Sequence, residues 1–215
     1  MTALFPVAAA AFSIMVFTAS AYAQEAAFPA APSAHVVLET SLGDVTIELD
    51  PNAPVTVANF LRYVAEDRFD GTVFYRAMHL EWGAQPNGLI QGGTQNDPQR
   101  ILPPIAHEPT TVTGLTHRRG AISMAMAEPG SATGDFTILL QDQPVMDANP
   151  DAADPVWQNG YAVFGMVVDS MEVVEAIHAA PLDPDAGEGW MRGQMLAQPV
   201  VITDARIVME GGQQP

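Results

Sequence analysis

The chain of 215 residues contains no lysine and no cysteine, and apart from histidine its only basic side chains are eight arginines. Against 25 acidic residues, these leave a formal net charge of -17. A field of that sign repels phosphate backbones and therefore argues against binding of nucleic acid. The absence of cysteine excludes disulfide bonds and is compatible with an exported protein, because such proteins can also do without disulfides.

Motifs that would indicate a metal site or a nucleophile are also missing. The five histidines show no metal-ligand spacing, and the chain has neither a Gly-x-Ser-x-Gly elbow nor a Walker lysine. The segment that starts at Asp147 begins like an EF-hand calcium loop. Ala152 stands where that loop needs glycine, and Gln158 where it needs a bidentate glutamate. We therefore predict no metal and no cofactor.

The N-terminal segment MTALFPVAAAAFSIMVFTASAYAQEAA combines an apolar run with the small-x-small sequence Ala21-Tyr22-Ala23. This pattern predicts a signal peptide over residues 1–23, although the Lys or Arg residues that usually stand at the beginning of a signal peptide are absent. An uncleaved membrane anchor is the alternative, because residues 3–23 are nearly long enough to span a bilayer. Cleavage would leave a periplasmic or secreted protein without stable membrane insertion. The Ala/Pro-rich composition of residues 24–34 predicts a flexible linker.

Structure is expected to begin at His35. Alternating apolar and polar residues on both sides of Leu42-Gly43-Asp44 predict a β-hairpin. Helical spacing predicts one helix from about Pro54 to Asp67 and a second in MEVVEAIHAAP, which Pro181 ends. Short apolar runs predict six more strands: TVFYRAM, GLIQGG, GAISMAMA, DFTILL, YAVFGMVV and PVVITDARIVM.

The polar segments QDQPVMDANPDAADPVWQNG and PLDPDAGEGWMRGQM are predicted to be surface loops. Many short strands with only two helices favour an antiparallel barrel or sandwich. One domain, residues 35–209, accounts for this pattern, and residues 210–215 are predicted to form a flexible tail.

Arg76 is unusual in its surroundings, the apolar strand VFYRAM. A strand rich in Val, Phe and Tyr is mostly buried, and a guanidinium cannot release its proton there. Two interpretations stay open on this pattern alone. Either Arg76 forms a structural ion pair at the strand end, or it lines a pocket.

The order of five motifs, VFYR, IQGG, ISMAMA, SATGDFTI and GYAVFGMVV, resembles the cyclophilin-type peptidyl-prolyl cis-trans isomerases, particularly their exported bacterial branch. The resemblance runs from about Val36 to Val208. It implies a mainly β fold, a closed eight-stranded antiparallel barrel with an α-helix over each open end. It also implies a proline-binding groove on the outer face and proline-containing polypeptides as partners. We expect the protein to be a monomer.

The chemistry of such a site requires no nucleophile. Rotation about a peptide bond costs about 18–20 kcal/mol, because the nitrogen lone pair is delocalised into the carbonyl. A hydrogen-bond donor aimed at the nitrogen is stronger in the twisted state than in the flat one, and this difference raises the rate. We therefore predict that Arg76 is catalytic.

The resemblance assigns the other site residues. It implies that Gln91 holds the peptide beside Arg76 and that the backbone of Ala125 and Met126 binds it as an added extended segment. Further substrate-binding positions are implied at Leu89, Asp135, Thr137, Trp157 and Tyr161. Strand alternation supports this register, because it turns Phe136 and Ile138 toward the core.

Several positions depart from the family pattern. Gly88-Leu89 replaces Phe-Met, Asp135 replaces a glutamine, and Thr137 replaces the pocket phenylalanine. If Asp135 reaches Arg76, it occupies donors that the proline nitrogen needs, and activity is reduced.

An insertion between Arg76 and Gln91 carries Trp82. It is either a longer surface loop or a possible pocket contributor that replaces the lost aromatic surface.

The sequence leaves three functions open. The first is an isomerase that accelerates X-Pro isomerisation during folding of exported proteins. The alternative is a non-catalytic chaperone or scaffold that holds proline-containing segments in a degenerate groove. An acidic structural barrel without a working groove is the third.

Overall fold

The computed structural model describes residues 34–208. The predicted signal peptide, the linker up to residue 33 and the predicted tail lie outside the described residues. Nine strands are present in the described part: β1 His35–Thr40, β2 Gly43–Leu49, β3 Val73–His79, β4 Gly88–Gly93, β5 Ala121–Met124, β6 Asp135–Leu139, β7 Val163–Asp169, β8 Leu182–Asp183 and β9 Met195–Val208. The α-helices are α1 Pro54–Ala65, α2 Thr110–Thr113, α3 Pro155–Asn159 and α4 Met171–His178.

Eight of these strands close into an antiparallel barrel. Their order is β1-β2-β7-β5-β6-β4-β3-β9, and the pairing of β1 with β9 completes the circle. The two-residue β8 adds to the start of β9, outside this closed set. The fold class predicted from the sequence is confirmed. Closure leaves the barrel strands without free edges, so substrate has to bind on a face or on a loop.

The barrel interior is built around phenylalanines from strands β3 and β6, from helix α1 and from the connection that follows α1. The ring of Phe136 lies edge-on to those of Phe60, Phe69 and Phe74, at centroid distances of 5.5, 5.5 and 5.7 Å. Such edge-to-face contacts add to the stabilisation that the burial of each ring provides. Phe136 and Ile138 are both fully buried in this core, as the alternation in DFTIL predicts.

The two predicted helices are present and shorter than predicted. Helix α1 ends at Ala65, two residues before the predicted end, and packs Phe60 and Tyr63 into the core. Helix α4 ends at His178 and buries Ile177. The predicted surface loops also contain α3 and β8, which lack the apolar periodicity of longer elements. Within residues 34–208, no helix is long and apolar enough to span a membrane.

The first turn of α1 is capped by a side chain distant in sequence. The N-cap residue, Ala53, has no side-chain acceptor. Glu108 supplies one: its Oε2 accepts from the Thr56 N–H at 2.8 Å, and its Oε1 accepts from the Val55 N–H at 3.1 Å. A carboxylate at this position satisfies free backbone donors and interacts favourably with the helix dipole. Glu108 therefore ties the long β4–β5 connection to α1.

Replacing Glu108 with alanine should lower the free energy of unfolding by about 1–2 kcal/mol, because it removes the cap of α1. Urea denaturation measures the change. The matched control is Glu81→Ala, which removes an exposed glutamate from a loop and should leave stability within about 0.5 kcal/mol of wild type. Equal midpoints for the two variants would contradict the capping role of Glu108.

Candidate active site

Four side chains form a row across the outer face of the barrel, on four neighbouring strands. Ser123 of β5 pairs with Thr137 of β6. Thr137 also pairs with Gln91 of β4, which in turn pairs with Arg76 of β3. Strands lie about 4.8 Å apart, so the row spans about 14 Å. The neighbours of these residues along each strand point the other way and belong to the core: Ala77, Ile90, Ile122 and Ile138.

A β-bulge shapes the Arg76 end of the row. The register of β3 shifts between Phe74 and Arg76 against both of its partner strands, so Tyr75 has no partner of its own. The Tyr75 hydroxyl accepts a hydrogen bond from Gln91 Nε2 at 2.7 Å. Burial raises the pKa of Tyr75, so the hydroxyl stays protonated. Bulges often re-aim side chains at functional sites, and this one fixes the Gln91 amide.

The Arg76 guanidinium is held by two amide oxygens. Its Nη1 donates to Gln91 Oε1 at 2.6 Å, while its Nε and Nη2 donate to Gln194 Oε1 at 2.9 and 2.7 Å. A guanidinium has five N–H donors, so these three bonds leave one N–H on each terminal nitrogen. Burial lowers the pKa of Arg76. The group nevertheless stays charged, because arginine keeps its proton in proteins.

Gln194 and the aromatic ring beside it were not predicted. The ring of Trp190 lies over Arg76, with its centroid 4.5 Å from Cζ. Gln194 Nε2 donates to the Trp190 carbonyl at 2.9 Å, which links the two residues. Both lie in the segment predicted to be a surface loop. Its motif GEGWMRGQM has glycines, a tryptophan and a glutamine, but a loop has no strand register from which a contact with Arg76 could be read.

The hypothesis that Asp135 pairs with Arg76 is wrong. Asp135 Oδ1 accepts from the Gln95 N–H at 2.8 Å, and the backbone of Asn96 also donates to the carboxylate. Gln95 and Asn96 both have positive φ, 51° and 56°, which is uncommon for residues other than glycine. Asp135 therefore stabilises this turn. Burial raises the pKa of Asp135, and the two backbone donors only partly offset that effect.

The predicted apolar contacts lie beside the row. Leu89 is buried in a cluster outside the barrel core, and Tyr161 packs against that cluster. Burial raises the pKa of Tyr161, and the charge of Arg76 partly offsets the effect. The Trp157 ring lies edge-on to Tyr161 at 6.1 Å. Thr137 is buried, and its hydroxyl lies 3.0 Å from that of Ser123.

The backbone after β5 lies at the other end of the row. The Ala125 N–H donates to the Asp135 carbonyl at 2.9 Å. Among residues 34–208, neither the N–H nor the carbonyl of Met126 has a hydrogen-bond partner. Ala125 and Met126 are both partly exposed. An extended peptide could therefore pair with Met126 while it lies across the row toward Arg76.

Trp82, the possible pocket contributor, has an exposed ring. Its carbonyl accepts from Asn87 Nδ2 at 2.6 Å, and Asn87 Oδ1 accepts from Gln143 Nε2 at 2.7 Å. These bonds fix the insertion to the β6–β7 connection through its backbone. The tryptophan that lies on Arg76 in this structure is Trp190, and not Trp82.

Comparisons with known proteins agree with this geometry. A family model described as cyclophilin type peptidyl-prolyl cis-trans isomerase/CLD matches residues 35–207. The chain is 35% identical over 187 residues to peptidyl-prolyl cis-trans isomerase A of Dickeya dadantii, covering 85% of this chain and 88% of that protein. It is 34% identical over 177 residues to a peptidyl-prolyl cis-trans isomerase of Acinetobacter baylyi, covering 80% and 84%.

Solved structures show the same fold. A cyclophilin type peptidyl-prolyl cis-trans isomerase of Cryptosporidium parvum aligns with a TM-score of 0.63 at 22% identity, over 83% of this chain and 99% of that chain. A second crystal structure of that protein, in the presence of the dipeptide Ala-Pro, aligns with the same TM-score.

The raised pKa of Asp135 predicts a pH dependence of stability. Between its ordinary value and the raised one, the folded state binds more protons than the unfolded state, so stability falls as the pH rises. Asp135→Asn keeps an acceptor for Gln95 but cannot titrate. We expect its unfolding free energy, measured in urea from pH 4 to pH 7, to rise relative to wild type as the pH increases. A constant difference, like that of the exposed control Asp151→Asn, would contradict this.

Proposed function

The chain belongs to the cyclophilin-type peptidyl-prolyl cis-trans isomerases and accelerates X-Pro isomerisation, and we propose that Arg76 is its catalytic residue, with Gln91 beside it. The observation that carries the proposal is the guanidinium held by Gln91 and Gln194, with one N–H left on each terminal nitrogen. An N–H that points at the proline nitrogen can donate a hydrogen bond to the lone pair that becomes localised on this nitrogen when the amide twists.

The choice of partners around Arg76 suits this reaction. A carboxylate would neutralise the guanidinium and compete with the substrate for its donors. The amide oxygens of Gln91 and Gln194 orient the same group without adding negative charge. Since they fix it before the substrate arrives, little reorganisation is required during the reaction. The remaining N–H groups stabilise the twisted amide more than either planar form, which is the condition for a higher rate.

The rest of the row holds the substrate. We infer that the peptide pairs with the backbone at Ala125 and Met126, and that the proline ring rests near Leu89, Thr137 and Tyr161. Trp157 borders this surface through its contact with Tyr161. Asp135 contributes indirectly, by holding the turn at Gln95. All of these residues come from one chain, so we propose that the protein acts on proline-containing polypeptides as a monomer.

Arg76→Ala should lower kcat/KM for a short Xaa-Pro peptide by about 100-fold or more, the size of loss seen when a transition-state donor is removed. Two-dimensional exchange NMR measures the isomerisation rate, and chemical-shift titration measures binding of the same peptide. We expect peptide affinity to fall much less than the rate. Arg206→Ala, which removes an arginine paired with Glu39 on the barrel surface, should retain the wild-type rate.

Two results would contradict the role of Arg76. One is an Arg76→Ala variant that retains the wild-type rate. The other is a wild-type protein that binds the peptide without accelerating its isomerisation, because the groove would then only hold proline-containing segments.

We further propose that the protein is exported and acts on exported clients in the periplasm or outside the cell. The support is the apolar N-terminal run that ends in Ala21-Tyr22-Ala23. A signal peptidase reads the two small residues of this sequence and tolerates the middle one. Cleavage after Ala23 would release the isomerase domain from the membrane.

Cleavage can be tested by mass spectrometry of the protein recovered from a bacterial host that expresses the full chain. We expect a mature N-terminus at Gln24 in the periplasmic fraction. Ala21→Arg should block processing, because it places a large charged residue where the peptidase requires a small one. The control Tyr22→Gln should be processed normally. Recovery of wild-type chains that retain residues 1–23 would contradict the proposal.

A further inference from the structure

We propose that Trp190 is a specificity-determining residue, whose exposed indole contacts a large apolar side chain next to the proline of the substrate. This inference rests on the proposed role of Arg76. The Trp190 side chain combines two properties: it lies on the guanidinium, 4.5 Å from Cζ, and it remains 70% exposed. Arg76 itself is only 3% exposed, so the indole forms much of the surface that a substrate meets at this end of the row.

The segment that carries Trp190 is fixed to the barrel. The Ala77 N–H, next to Arg76, donates to the Gln194 carbonyl at 2.9 Å. Gln194 bonds to both the guanidinium and the Trp190 carbonyl. Gly187 has φ +86°, and a Cβ there would lie 2.6 Å from the Met191 carbonyl oxygen. The turn at Trp190 therefore requires glycine, and its contacts hold the indole at Arg76.

The position of Trp190 along the groove follows from the strand order β5-β6-β4-β3. Met126 follows β5 at one end of the row, and Arg76 with Trp190 lies at the other end. Thr137 and Gln91 lie between them. If one flank of the peptide pairs at Met126, the opposite flank passes Trp190. One extended residue spans about 3.3–3.6 Å, so the indole lies within one or two residues of a proline bound at Arg76.

The chemistry of this surface favours a large apolar partner. The indole is the largest apolar surface among the side chains, and the guanidinium beneath it is already desolvated. An aromatic or aliphatic side chain that packs on the indole therefore buries area without separating Arg76 from its amide partners. The proline pocket itself has less apolar bulk at Thr137, which stands where the family pattern has the pocket phenylalanine. We infer that part of the binding energy comes instead from the residue that contacts Trp190.

The test compares kcat/KM for two peptide series, in which either the residue before the proline or the residue after it is Ala, Leu or Phe. We expect wild type to prefer Phe over Ala by about tenfold in one series, a typical selectivity of an apolar contact. Trp190→Ala should reduce that preference to about twofold or less and leave the other series unchanged. Trp190→Phe should retain most of it. The matched control, Trp82→Ala, removes another exposed tryptophan and should change neither series.

Three outcomes would overturn the inference. An unchanged Phe-over-Ala preference in Trp190→Ala would show that the indole does not contact the substrate. An equal loss for every peptide would show that Trp190 only positions Arg76. An equal gain would show that the indole covers the arginine as a lid.

Peptide affinities from chemical-shift titration give a second measurement that does not depend on turnover. If wild type binds these peptides without catalysis, the proposed function fails. The inference about Trp190 is still tested, because it expects an affinity preference for Phe that Trp190→Ala loses. An affinity preference that survives in Trp190→Ala would overturn it.

Discussion

The account depends on one interaction: a buried positive charge held by neutral oxygens. Arg76 is almost inaccessible to solvent, yet its three described hydrogen bonds go to the amides of Gln91 and Gln194. Burial of an unpaired charge is costly, and the charge-assisted bonds to the two amides offset only part of that cost. Within residues 34–208 no carboxylate pairs with this guanidinium, so the described part of the protein keeps a cationic donor whose charge is not cancelled. Such a group is what a twisting amide nitrogen can use.

Barrel closure is the constraint that makes this arrangement possible. Arg76 and Gln91 are neighbours because β3 and β4 pair in that register, and Thr137 joins them because β6 pairs on the other side of β4. A slip of one residue would turn every side chain to the opposite face. The phenylalanines packed around Phe136 on the inner face fix this register, so the core determines the geometry of the groove that lies outside it.

Much of the fold follows from the sequence, because strand alternation and two amphipathic helices are local signals. The apolar surroundings of Arg76 pointed to an arginine with a special role, and the family resemblance supplied Gln91. Gln194 and Trp190 could not be predicted, since their segment has no periodicity and its contact with β3 depends on the closed barrel. The turn that Asp135 stabilises could not be predicted for a similar reason. Gln95 and Asn96 have positive φ, but a glutamine followed by an asparagine does not signal this backbone conformation in a sequence.

The most direct test of the central claim is the mobility of the Arg76 guanidinium in the free protein, measured by NMR of its Nη–H groups. With eight arginines and no lysine, the spectrum is small enough to assign. Because Gln91 and Gln194 hold the group at both ends, we expect separate Nη–H signals for Arg76 that exchange slowly. The exposed Arg118 should show averaged ones. Rapid averaging at Arg76, indistinguishable from that at Arg118, would contradict the account.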